Sequence, residues 1–139
     1  MNKRLLIVDD HEMLREGLRY ALANADLEIV EAVDGYSALD ILFNQRIDIV
    51  LLDVDLPNCN GLEVLRQIKQ QRPNLPVLMH SCHDRLIYVE RSLKMGAAGY
   101  LIKSPNANHV IEAVRIALAG GSVWTSDQLS HSAGNGMEA

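Results

Sequence analysis

The chain has 139 residues, 48% of them hydrophobic and 22% charged, which is ordinary globular usage and argues against general disorder. That length suits one domain, burying roughly 68–70% of its unfolded surface with no need of a disulfide or metal staple. Its 13 basic and 18 acidic residues leave a net charge of −5, and with no Lys/Arg cluster this speaks against direct contact with nucleic acid.

Short aliphatic runs alternate with runs of helical spacing. Residues 4–8 predict a strand that runs into Asp9-Asp10, and residues 12–23 a helix with Leu14, Leu18, Ala21 and Leu22 on one face. Residues 28–33 predict a second strand, closed by Asp34-Gly35, and residues 36–43 a helix with Leu39, Leu42 and Phe43 together. Residues 48–52 are nearly all apolar and run into Asp53. The loop Leu56-Pro57-Asn58-Cys59-Asn60-Gly61 follows, with Asn60 as N-cap of a helix carrying Leu62, Leu65 and Ile68. The pattern repeats as a strand at 76–81, a helix at 85–95, a strand at 99–102 and a helix at 107–119, which Gly120-Gly121 stops. After Val123-Trp124 the chain turns Ser/Gly/Asn-rich and aperiodic. The expected organisation is therefore a domain over 1–121 and a mobile tail or truncated linker over 122–139, with Trp124 packing the last helix against the domain.

Five β-then-α units imply a doubly wound α/β fold, a (βα)5 parallel sheet covered on both faces with right-handed crossovers. Five strands favour the order 2-1-3-4-5 over the six-strand dinucleotide form, and its ligand crevice lies beyond the carboxyl ends of strands 1 and 3. Asp9-Asp10, Asp53, Ser81 and Lys103 end strands 1, 3, 4 and 5. Three carboxylates so close repel one another and call for a cation. Few, hard oxygen ligands suit Mg²⁺. A carboxylate beside Mg²⁺, a lysine and a hydroxyl is an arrangement for phosphoryl transfer, with the carboxylate able to act as nucleophile.

Taken together, Leu-Ile-Val-Asp9-Asp10-His, Leu-Leu-Asp53-Val-Asp-Leu-Pro57 with Gly61, Ser81 and Tyr100-Leu-Ile-Lys103 resemble the CheY-like receiver domain of bacterial two-component response regulators, over residues 3 to 121. The resemblance implies a flavodoxin-like fold in which Asp53 accepts a phosphoryl group from a sensor histidine kinase. It implies that Asp10 binds Mg²⁺ directly, that Asp9 supports it largely through water, and that the Asp55 carbonyl is a further ligand. Lys103 would pair with the phosphoryl group, the Ser81 hydroxyl would bond one of its oxygens, and Tyr100 would be an aromatic switch. Positions 55 and 83, here Asp55 and His83, would tune dephosphorylation. His80 stands where an aliphatic residue is usual, and Cys82 replaces a small residue and so narrows access to Asp53. His11 after the aspartates, Arg15-Glu16-Gly17-Leu18 and Lys94–Ser104 are similar to NarL/FixJ (LuxR-class) regulators. Those carry a C-terminal helix-turn-helix, so transcriptional output is expected from a DNA-binding domain not in this chain, with phosphorylation-dependent homodimerisation.

The expected role is that of a switched phosphoacceptor rather than a turnover enzyme. The alternatives are a phosphorylation-independent pseudo-receiver of the same fold, a haloacid-dehalogenase-type phosphatase suggested by Asp53-Val54-Asp55, and a flavodoxin-like FMN carrier. The phosphatase motif normally follows the first strand. The FMN carrier would need a phosphate-binding loop where Asp9-Asp10-His11-Glu12 stands. The five histidines share no metal spacing and are read as non-ligands. No apolar run approaches the ~20 residues of a membrane span, and Cys59 and Cys82 read as reduced thiols, so a cytoplasmic protein with no membrane contact is expected.

Overall fold

The computed structural model describes residues 2–130. Five strands, β1 (Lys3–Val8), β2 (Leu27–Ala32), β3 (Ile49–Asp53), β4 (Val77–Ser81) and β5 (Gly99–Ile102), alternate with five helices. These are α1 (Glu12–Ala21), α2 (Gly35–Asn44), α3 (Gly61–Gln71), α4 (Leu86–Lys94) and α5 (Asn108–Leu118). All neighbouring strands pair in parallel, in the order β2-β1-β3-β4-β5. The doubly wound reading of the sequence is the fold observed.

Strand alternation divides the core into two layers. Leu6, Val8, Val50 and Leu52 face α2, α3 and α4 in a cluster with Leu62, Leu65 and Val89. Leu5, Ile7, Ile49 and Leu51 face the other way, joining Leu18 and Leu22 of α1 and Val110 and Val114 of α5. All five residues of β3 are buried, which is why its sequence is a continuous apolar run ended by an acid.

Local signals fix the helix starts. Asp34 caps α2 by accepting from the Ser37 N–H, and Ser37 bonds back in a capping box. Asn60 caps α3 by accepting from the Leu62 N–H at 2.8 Å, as the sequence predicts. The loop after Asp53 also holds a two-residue hairpin, Asp55–Leu56 against Cys59–Asn60, with Asn58 in the left-handed region at φ 62°. Among the described residues, no helix is long and apolar enough to cross a membrane.

Residues 123–130, part of the segment expected to be a tail or truncated linker, lie against the domain. Val123 bridges Gly99 on the open edge of β5, and residues 126–130 form a helical turn. Trp124 seats in the α2–α3–α4 layer, beside the cluster that holds Tyr100, rather than on the α5 layer. Consecutive residues at a sheet edge point to opposite faces. Val123 therefore joins one layer and Trp124 the other. Residues 131–139 lie outside the described residues.

Candidate functional site

The sheet register builds the site. Val8 lies level with Leu52, Asp53 with His80, and Ser81 with Ile102. The rim just past these pairs is fixed by backbone bonds, Asp9 N–H to Ala32 O at 3.0 Å and Lys103 N–H to Ser81 O at 2.7 Å. Asp9, Asp53 and Lys103 meet there. The Lys103 ammonium lies 2.8 Å from Asp9 Oδ2 and 3.3 Å from Asp53 Oδ2. Both aspartates are 1% exposed.

Each carboxylate is aimed by backbone. Asp53 Oδ1 accepts from the Asp55 N–H at 3.0 Å, and Asp9 Oδ1 accepts from the His11 N–H at 2.9 Å. Neither Asp9 nor Asp10 caps α1. His11 holds the N-cap position in extended backbone, with no side-chain cap bond.

Burial pushes the Asp53 carboxyl above its ordinary range, and the Asp9 charge adds to the rise beyond what the Asp55 N–H and Lys103 offset. Burial also pushes Asp9 up, but hydrogen bonds from Lys103 and the His11 N–H outweigh it and hold that carboxyl below its usual value. Lys103 is raised despite its burial, because it bonds Asp9 and faces the Asp53 charge. One half-buried ammonium thus faces two buried carboxylates, with the more exposed Asp10 close by.

A hard cation fits this arrangement. Ligand atoms of Asp9, Asp10, His11 and Asp53 all lie within 4.8 Å of one another. Among the described residues, the buried Oδ2 atoms of Asp9 and Asp53 accept no hydrogen bond from any group other than that ammonium. Oxygen donors with spare lone pairs and excess negative charge favour a divalent ion with hard-ligand preferences. A cleft of ≈ 430 Å³ opens between Asp10 and the Asp55–Asn60 hairpin, and a second of ≈ 470 Å³ lies against His11, Cys82 and Lys103.

Ser81 and Tyr100, each 2% exposed, converge on the backbone of one residue, His83. The His83 N–H donates to Ser81 Oγ at 3.1 Å, and the Tyr100 hydroxyl donates to the His83 carbonyl at 2.9 Å. The His83 side chain itself is exposed, as are Cys82 and Asp55. The sequence puts Asp9, Asp10, Asp53 and Lys103 on one rim, and the structure brings them together there. His11 carries no metal spacing in the sequence, yet its Nδ1 lies 2.9 Å from Asp9 Oδ1 and 3.3 Å from Asp10 Oδ1. Arg15, which sequence reasoning does not assign to the site, reaches the Asp9 carbonyl with its guanidinium. The available signal is a basic residue one turn into the helix that follows the acidic pair.

Residues 5–115 match the family model described as the response regulator receiver domain. The chain is 38% identical over 121 residues to the transcriptional regulatory protein DegU of Brevibacillus brevis, covering 86% of this chain and 51% of that relative. It is 41% identical over 118 residues to the transcriptional activator protein ExaE of Pseudomonas putida, covering 84% and 55% respectively. Among solved structures, a LuxR-family two-component response regulator from an Aurantimonas species superposes with a TM-score of 0.86 at 28% identity, over 99% of each chain. The response regulator TrrA of Thermotoga maritima, solved in complex with Mg²⁺–BeF, superposes with a TM-score of 0.75 at 31% identity, over 81% of this chain and 96% of that one. The chain belongs to the response regulator receiver family of two-component systems, and its relatives include transcriptional regulators of the NarL/FixJ/LuxR kind. It spans about half the length of the two curated relatives, 51% and 55%.

Proposed function

We propose that this chain is the phosphoacceptor module of a transcriptional response regulator, with Asp53 taking a phosphoryl group from a phosphohistidine of a sensor histidine kinase in a Mg²⁺-dependent reaction. The observation that carries the reading is the Lys103 ammonium set between Asp9 and Asp53, whose Oδ2 atoms are buried and otherwise unpartnered. An Asp53 oxygen attacks phosphorus, the new O–P bond forms as the P–N bond breaks, and the imidazole leaves. The Asp55 N–H holds Asp53 Oδ1 and so aims the carboxylate. Lys103 pairs with the arriving phosphoryl oxygens, and the Ser81 hydroxyl donates to one of them.

Asp10, Asp53 and the Asp55 carbonyl would hold Mg²⁺ directly, with Asp9 supporting it through water. When bound, the ion neutralises charge on the phosphoryl oxygens. Asp55 and His83, both exposed, govern how water reaches the acyl phosphate and so tune its lifetime. Tyr100 and Ser81 both bond the His83 backbone, Tyr100 at its carbonyl and Ser81 at its N–H, and Tyr100 carries the change to the β5 edge. The output is transcription, through a DNA-binding domain beyond residues 1–121, with pairing to a second copy in the phosphorylated state. A cytoplasmic setting agrees with two free cysteines.

Intact mass after acetyl phosphate plus Mg²⁺ tests the reading. One added phosphoryl group, lost in Asp53→Ala and in EDTA, supports it. No addition under any condition selects the phosphorylation-independent interaction module instead.

A further inference from the structure

Residues 123–130 lie beyond the 5–115 span matched to the receiver family, yet they are built into the sheet edge. The Val123 N–H donates to the Ala98 carbonyl at 2.6 Å. Gly99 makes room for this contact, because a Cβ there would lie 2.6 Å from the Val123 carbonyl oxygen. Trp124 then packs beside the cluster that contains Tyr100. Thr125 and Gln128 hold each other: the Thr125 N–H donates to Gln128 Oε1 at 2.9 Å, and the Gln128 N–H donates to Thr125 Oγ1 at 3.1 Å. That lock orients a side chain only 6% exposed, and its Nε2 donates to the Tyr100 carbonyl at 3.1 Å.

Tyr100 is therefore pinned twice, by Gln128 at its carbonyl and by His83 at its hydroxyl. The backbone N–H of the same residue, His83, donates to Ser81 Oγ. A continuous line of contacts runs from Ser81 at the rim, through His83 and Tyr100, to the segment that leaves the domain.

We propose that Gln128 is a positioning residue for Tyr100, and that residues 123–130 form a tether whose docking is coupled to occupation of the Asp53 site. The proposal rests on the phosphoacceptor reading. Docked tether and buried Tyr100 occur together, so each supports the other. Removing the Gln128 amide frees the Tyr100 strand, loosens the His83 backbone and leaves Ser81 less well placed for a phosphoryl oxygen. Coupling is reciprocal, so whatever factor docking adds to loading, loading adds to docking.

Trp124 is the only tryptophan of the chain, so its acrylamide quenching reports docking directly. Beryllofluoride with Mg²⁺, followed by ¹⁹F NMR, reports loading of Asp53. In the full chain, Gln128→Ala is expected to raise Trp124 quenching and to weaken beryllofluoride binding by about fivefold or more, within the usual range of coupling between sites. Phosphoryl loading of the unaltered chain should lower Trp124 quenching. Unchanged quenching in Gln128→Ala overturns the tether. Raised quenching with unchanged beryllofluoride affinity makes Gln128 an edge cap only and overturns the coupling. Failure of the unaltered chain to bind beryllofluoride rejects the phosphoacceptor reading and the coupling with it, while the quenching arm still decides whether Gln128 holds the segment.

Discussion

The Arg15 guanidinium donates a 2.7 Å hydrogen bond to the backbone carbonyl of Asp9. Its Nε donates at 2.9 Å to Glu31 on β2, and Arg19 bonds the same carboxylate at 2.6 Å. Glu31 balances the charge that Arg15 brings toward the acidic cluster, so the turn carrying Asp9 and Asp10 is clamped from α1 and β2 at once. Partners behind metal ligands typically change affinity ~10–100-fold when removed. Arg15→Ala should weaken Mg²⁺ binding about tenfold by titration calorimetry. Arg15→Lys retains the charge but not the fork and should fall between. A Mg²⁺ affinity equal to the parent's in Arg15→Ala would sink the clamp.

Asp53 should be a stability liability in the metal-free protein. Burial and the neighbouring Asp9 raise its pKa in the fold. A carboxyl raised in this way contributes its stability while protonated and loses it as pH rises through the folded pKa. Asp53→Asn removes the charge and keeps an oxygen for the Asp55 N–H. In EDTA at pH 7 the variant should unfold at higher urea than the parent, by on the order of 1 kcal/mol, the usual scale of one substitution. The gap should close toward pH 4 and narrow when Mg²⁺ stabilises the parent. A variant less stable than the parent at pH 7 would contradict the sign.

Two glycines on helices should behave in opposite ways. A Cβ on Gly61 would collide with the Asp53 carbonyl oxygen and lie 2.7 Å from Val54 Cα. The start of α3 thus leans directly on the backbone behind the Asp53 carboxylate. Gly61→Ala should cost about 1–3 kcal/mol through overpacking and slow acetyl phosphate labelling of Asp53. Gly17, inside α1, has nothing within 4 Å of the place a Cβ would take. Gly17→Ala should add about 0.5–1 kcal/mol of helix stability and leave labelling unchanged. Paired thermal melts and labelling rates check both.

What the sequence disclosed follows from which interactions are local. Apolar spacing marked Leu18 and Leu22, or Val110 and Val114, as inward faces, because helix periodicity shows within a few residues. Asp9, Asp53 and Lys103 were legible as one site because each directly ends or follows a strand, and parallel register brings strand ends to one rim. Gln128 was not legible. Its bond to Tyr100 spans 28 residues and involves a backbone carbonyl, which no side-chain pattern announces. The Ser/Thr/Asp/Gln stretch around it reads as tail, and only Gly99, stripped of its Cβ on the facing strand, hints that something lies close. The Asp55–Leu56 hairpin was hidden in the same way inside a turn-rich loop.

His80 should set an acid limit on stability. It sits in β4, 3% exposed, with its ring centroid 6.5 Å from that of His109. Burial, with help from the Lys103 and His109 charges and against that of Asp9, lowers its pKa from 6.5 to about 4. The folded protein therefore keeps His80 neutral at pH values where the unfolded chain takes up a proton. Stability from this residue is complete above pH 6.5 and is lost as pH falls from there toward 4. At ~1.4 kcal/mol per pKa unit, the full effect is about 3 kcal/mol. His80→Leu, which restores an aliphatic residue to a buried strand, should flatten this part of the pH profile, its gain over the parent growing as pH falls from 6.5 toward 4. Urea unfolding of both proteins across pH 4.5–7.5, in EDTA so that the carboxylate cluster contributes equally, reads the difference. Parallel profiles would show that His80 already finds its proton in the fold.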